Sequence, residues 1–195
     1  MRALVFTYIV LMVLISTSQA NDTSAVKPSA WDALKSGQAI AIMRHALAPG
    51  FGDPIEFDVS DCSTQRNLSD GGQKQAKQIG NIFRTAGITQ ATVLSSEWCR
   101  CRETATNLDL GVPAAAPMLN SFFQNRGNAE SQTQALERSI RKWLEEADTI
   151  RVLVTHQVNI SALTGRGTGS GDILVVGLKN DDIIVLDQIT APATQ

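Results

Sequence analysis

Three short, mostly apolar runs, "QAIAIM" at 38–43, "ATVLSS" at 91–96 and "IRVLVT" at 150–155, are separated by longer stretches whose apolar residues recur every three or four positions. Runs of this length without regular polar alternation are strands buried on both faces, and such strands belong to parallel sheets covered by helices. The intervening stretches supply the crossovers. Ser69 is placed to cap a helix reaching Ala86, with Ala76, Ile79, Ile82, Phe83 and Ala86 on one face and Gly87 as the stop. A second helix spans about Glu97 to Leu108. A third, about Ser131 to Ala147, carries the stripe Leu136, Ile140, Trp143, Leu144 and Ala147, which is packing surface. At the end, "DILVVGL" and "DIIVLDQI" flank "KNDD", the pattern of an antiparallel hairpin. The predicted fold class is α/β: a three-layer αβα sandwich with a mostly parallel central sheet and a C-terminal antiparallel hairpin.

The beginning of the chain breaks this pattern. Met1 and Arg2 precede an almost unbroken apolar run, Ala3 to Ile15, and "STSQA" puts Ser18 and Ala20 around Gln19, which is how a secretory leader ends. The expected organisation is a signal peptide at 1–20, a mobile tail at 21–30 and one domain at 31–192, in a periplasmic or secreted protein. The apolar run is shorter than the roughly 20 residues a membrane-spanning helix needs, so no stable span is expected after cleavage. A chain of 195 residues with 43% hydrophobic and 18% charged positions buries one ordinary core. A net charge of -2 and 5% aromatic residues provide neither a basic stripe nor stacking platforms, and nucleic acid is excluded as an expected partner.

Export changes how the three cysteines read. In an oxidising compartment Cys62 pairs with Cys99 or with Cys101, leaving one thiol, whereas Cys99 and Cys101 stand too close in sequence to bridge each other easily. Three buried thiols are the alternative. No second cysteine pair and no spaced histidine set accompanies them, so no metal and no cofactor is expected.

Ligands of open α/β sheets bind beyond the carboxyl ends of the strands. Arg44 and His45 follow the first run, Arg100 and Arg102 the second, and His156 the third. These are the chain's two histidines, each directly after an apolar strand. Taken singly, such residues are solvated side chains or members of ion pairs. Together they form a donor set for a tetrahedral oxyanion. Arg44 and His45 serve one pocket only if the backbone turns after them, and Pro49, Gly50, Gly52 and Pro54 permit that turn.

In order along the chain, "MRHA", "LSDGGQKQA", "SSEWCRCRETA" and "VTHQVNISA" resemble the histidine phosphatase superfamily, also called phosphoglycerate mutase-like, across about 38–189. The resemblance implies a phosphohistidine mechanism with His45 as nucleophile and Arg44, Arg100 and His156 holding the phosphoryl group. Arg102, offset from the family's arginine, reads as an outward helix residue. Two positions depart from the family: Ala46 stands where Gly is usual, and Phe51 where an Asn often contacts phosphate. Asn125, Arg126 or Gln157 are the candidates for the missing donor. For the general acid the order of candidates is Glu130, then Asp53, then Asp61, although Glu130 also reads simply as a carboxylate opening a helix.

The expected function is an exported, metal-independent phosphomonoester phosphatase acting on a phosphorylated small molecule or an envelope glycan. The alternative is a non-catalytic module that binds phosphate or a phospho-ligand on the same fold.

Overall fold

The computed structural model describes residues 29–147 and 149–194. The expected leader and most of the expected tail lie outside these residues. Within them the helices are α1 (Ala30–Lys35), α2 (Asp70–Thr85), α3 (Cys99–Leu108), α4 (Ala129–Glu146) and α5 (Gln157–Thr164). The strands are β1 (Ile40–Arg44), β2 (Thr92–Ser95), β3 (Ala114–Ala115), β4 (Arg151–Thr155), β5 (Ile173–Lys179) and β6 (Asp182–Ile189). Helix α1 starts inside the expected tail, where the Ser29 side chain caps it by accepting the Asp32 N–H.

One six-stranded sheet runs in the order β3-β2-β4-β1-β5-β6. The pairs β3-β2, β2-β4 and β4-β1 are parallel, while β1-β5 and β5-β6 are antiparallel. The sandwich has its two helical layers. Ala41 and Met43 of β1 point toward a core built with Leu34 of α1, Ile79 and Phe83 of α2, and Ala105 and Leu108 of α3. The alternate residues Ile40 and Ile42 face Leu136 and Ile140 of α4 and Ile160 of α5. Strict alternation along a doubly covered strand produces this division.

The register brings three strand ends level, with Met43 and Ser95 both opposite Val154. His45 still belongs to the ladder: its N–H donates to the Thr155 carbonyl, and its own carbonyl accepts from Gly171 N–H. The chain then leaves the sheet and is fastened at once, Ala46 N–H to Thr104 Oγ1 and Leu47 N–H to Gln75 Oε1. Helix α2 approaches this loop so closely that a Cβ at Gly72 would sit 2.1 Å from the Leu47 carbonyl oxygen. A residue without a side chain is therefore needed in the first turn of α2.

Candidate active site

A cavity of about 160 Å³ opens at the level strand ends, lined by Arg44, His45, Asp53, Arg66, Arg100, His156 and Gln157, with Phe51, Ser121 and Phe123 among the remaining walls. Arg44 ends β1 and His45 follows it, yet both reach the cavity because it lies beyond the carboxyl ends of the strands and not over either face of the sheet. The His45 and His156 rings stand 5.5 Å apart between centroids, inclined at 67°. Both are almost fully enclosed, 2% and 4% exposed.

Hydrogen bonds fix the protons on each ring. His45 Nδ1 lies 2.8 Å from the Ala46 carbonyl oxygen, a group that can only accept, so Nδ1 carries the hydrogen and Nε2 the lone pair. His156 Nδ1 faces Arg100 Nη2 at 3.5 Å, a group that can only donate. Its Nε2–H therefore donates to Ser96 Oγ at 2.8 Å, and the Ser96 hydroxyl donates to Asn120 Oδ1.

Burial, and then the Arg100 charge, bring the His45 pKa down to about 3, with Arg44 and Arg66 adding to the effect and the Ala46 carbonyl opposing it. His156 lies well below its ordinary value for the same leading reason, burial, followed by His45 and the arginines. Unfolded histidine takes its proton near 6.5, so below that pH the unfolded chain holds protons that the folded one refuses. Folding stability contributed by these rings is full above about 6.5 and falls as the pH drops below it, for His45 down to about 3. The expected loss is about 1.4 kcal/mol per pH unit for each ring once the pH is well below its unfolded value. Urea unfolding at neutral and mildly acidic pH checks it.

The arginines are held by different means. Arg100, 3% exposed, forms a two-point pair with Asp53: Nη1 to Oδ1 at 2.6 Å and Nη2 to Oδ2 at 3.1 Å. Asp53 also accepts from Arg66 N–H and from the Trp98 indole, so both its oxygens are spent. Burial alone would raise the Asp53 carboxyl, but Arg100 and these hydrogen bonds outweigh burial and hold its pKa below the ordinary value. Arg66 donates to the Gly52 and Ala48 carbonyls, and Arg44 to the Thr168 carbonyl. The Nε–H groups of Arg44 and Arg100 are buried without a partner, two donors unspent in residues that line the cavity.

The loop that carries Asp53 is anchored to α3. Cys62 is disulfide-bonded to Cys99, the residue before Arg100, with Cα atoms 5.7 Å apart. Gln65 accepts from Cys99 N–H, and Phe57 stacks on Trp98. Of the two pairings open from the sequence, this is the one formed. Cys101 remains a buried thiol, its pKa pushed up to about 12 by desolvation.

Several expected residues stand elsewhere. Glu130 is exposed in the first turn of α4, where it accepts from Gln134, and does not line the cavity; the chain leaves the lining after Phe123, and residues 124–128 are exposed before α4 starts. Asp61 is an exposed cap for Ser63. Arg102, read from the sequence as an outward helix residue, is exposed on α3. Asn125 and Arg126 are exposed outside the lining, Arg126 lying over the Phe123 ring. Gln157 does line the cavity, but its amide is engaged by Ser161 and Thr168. Arg66 was missed. Its position three residues before the Ser69 cap was the available signal, since a helix start fixes the chain just ahead of it.

No family model and no curated protein matches the sequence. Solved structures match throughout the fold. One is the protein histidine phosphatase SixA complexed with tungstate, 18% identical, TM-score 0.54, covering 78% of this chain and 96% of that one. The chain has the histidine phosphatase fold. A mycobacterial glucosyl-3-phosphoglycerate phosphatase complexed with VO3 is 13% identical with TM-score 0.56, covering 80% and 100% of the two chains. The product of an open reading frame from Mycobacterium tuberculosis reaches TM-score 0.60 at 14% identity, covering 79% and 98%. On this fold, no group of three His, Cys, Asp or Glu residues is arranged to hold a metal ion among the described residues.

Proposed function

We propose that this protein is a phosphomonoester phosphatase working through a covalent phosphohistidine at His45. One observation carries the reading: a neutral imidazole with its Nε2 lone pair unshared lines a cavity together with Arg44, Arg66 and Arg100. Against these three guanidiniums the lining sets one carboxylate, Asp53, so two positive charges are in excess. A phosphate ester carries about −1.5 to −2 at neutral pH and balances them.

In the first step the Nε2 lone pair forms the N–P bond while the ester P–O bond breaks, its electron pair leaving on the departing oxygen. In the second, water forms a new O–P bond as the N–P bond breaks, and the water's proton ends on the released alcohol or in solvent. The guanidiniums stay fixed where the transferring oxygens gather charge, which is how such transfers are accelerated. His156 holds Arg100 from one side and Asp53 from the other. Fixed cations supply the charge here, so turnover is read as independent of metal.

The chain is further read as exported. The leader-like pattern at 1–20 and the Cys62–Cys99 bond both suit an oxidising compartment. Among the described residues no helix is long and apolar enough to cross a membrane.

The competing reading, a phosphate-binding module, draws on the fact that the carboxylate in the lining is already committed to Arg100. It gives no reason for a histidine held with its nucleophilic nitrogen unprotonated. Quenching the reaction with labelled 4-nitrophenyl phosphate during turnover decides between them. The expected result is an acid-labile, base-stable phosphoenzyme, with the label in the peptide containing His45. Phosphate binding with no label and no nitrophenol release would establish the module.

A further inference from the structure

Two features of the cavity are not used by the chemistry above. The first is its mouth. Phe51 is 87% exposed and lines the cavity. It stands between Gly50 and Gly52, whose φ values of 95° and 69° belong to the left-handed region that favours glycine, and this backbone carries the ring outward. The Phe51 ring meets Phe123 edge to face at 5.0 Å and 88°, and Ile55 of the same loop is 98% exposed. The second is the state of the acid. Asp53, the one carboxylate in the lining among the described residues, has both oxygens taken by Arg100, Arg66 and Trp98. A leaving oxygen in this cavity departs without a proton from the protein.

These features select the same ester. An aliphatic alkoxide is a poor leaving group, and withholding an acid typically costs such an ester about a hundred- to ten-thousand-fold in rate. A phenol ionises near 10, as tyrosine does, so a phenolate carries away the P–O electron pair with little help. The ring of such an ester would have an aromatic partner at the mouth, whereas a sugar or glycerol phosphate would leave that apolar surface wet.

We infer that Phe51 and Phe123 form a leaving-group subsite for an aromatic ring, and that the substrates are aryl phosphate monoesters. The inference rests on the phosphatase reading above. Phe51 distinguishes its ring-binding part, because the side chain is exposed and its replacement removes no core packing.

The test compares kcat/KM for phenyl phosphate and glycerol 2-phosphate in the full chain, with 4-nitrophenyl phosphate as the common reporter. The parent protein is expected to favour the phenyl ester by at least about a hundredfold. Phe51→Ala should reduce that preference about three- to tenfold through KM for the aryl ester, and Phe51→Trp should retain it. Equal use of both esters by the parent overturns the inference. So does a preference identical in the parent, Phe51→Ala and Phe51→Trp. Failure to turn over any ester, 4-nitrophenyl phosphate included, overturns the phosphatase reading itself.

Discussion

His45→Ala is expected to lower turnover of 4-nitrophenyl phosphate by at least about 10⁴-fold while leaving the protein folded and able to bind inorganic phosphate. The two halves of this expectation have separate physical origins. On the proposed reading Arg44, Arg66 and Arg100 hold the phosphate, and the anchors of all three lie outside the His45 side chain. Arg44 is tied to the Thr168 carbonyl, Arg66 to the loop carbonyls and Arg100 to Asp53. The His45 backbone stays in the ladder through its bonds to Thr155 and Gly171, which alanine preserves. Only the nucleophile is lost. Steady-state kinetics and phosphate binding by calorimetry check the pair. A residual rate within tenfold of the parent would mean that the histidine does not take the phosphoryl group.

The sheet could be read in the sequence because its strands are covered on both faces, so their apolar runs carry no competing surface pattern. The three expected parallel strands lie within two residues of β1, β2 and β4, and the C-terminal hairpin became β5 and β6. Strand β3 was not legible: two exposed alanines carry no periodicity, and only the adjacent edge of β2 makes them a strand. Helix α1 fell at the expected tail boundary, where its six residues are too short for a clear period.

The site divides along the same line. Arg44, His45 and His156 stand at or directly after strand ends, and Arg100 lies in the first turn of α3, the helix that follows β2, so locating the strands narrowed the search to them, and the structure brings all four to one cavity. Asp53 and Arg66 come from the irregular segment between β1 and α2, where no periodicity fixes the path. Their positions depend on long-range contacts, the Cys62–Cys99 bond and the stacking of Phe57 on Trp98, that pattern alone does not specify. Glu130 lies outside the cavity lining. Its place in the sequence suited an acid, but the start of α4 is turned to solvent.

Asp53→Asn should separate stability from ligand binding more sharply than any other change in the cavity. The substitution keeps the shape of the side chain and removes its charge, leaving the Arg100 guanidinium 3% exposed and without its counterion. Breaking a buried pair from one side typically costs about 3–5 kcal/mol, because the remaining charge is still desolvated. The midpoint of urea unfolding should therefore fall substantially in phosphate-free buffer. Phosphate then becomes the missing anion. With three guanidiniums and no carboxylate in the lining, the variant gains more from a bound phosphate than the parent does. Millimolar phosphate or vanadate should restore a larger share of stability to the variant than to the parent, by the linkage that favours whichever state binds ligand. The same stabilising increment in both proteins would show that Asp53 does not set the charge of the anion site. If the parent alone is stabilised, Asp53 is needed to hold Arg100 in its binding position, and its role is placement of the guanidinium, not charge balance.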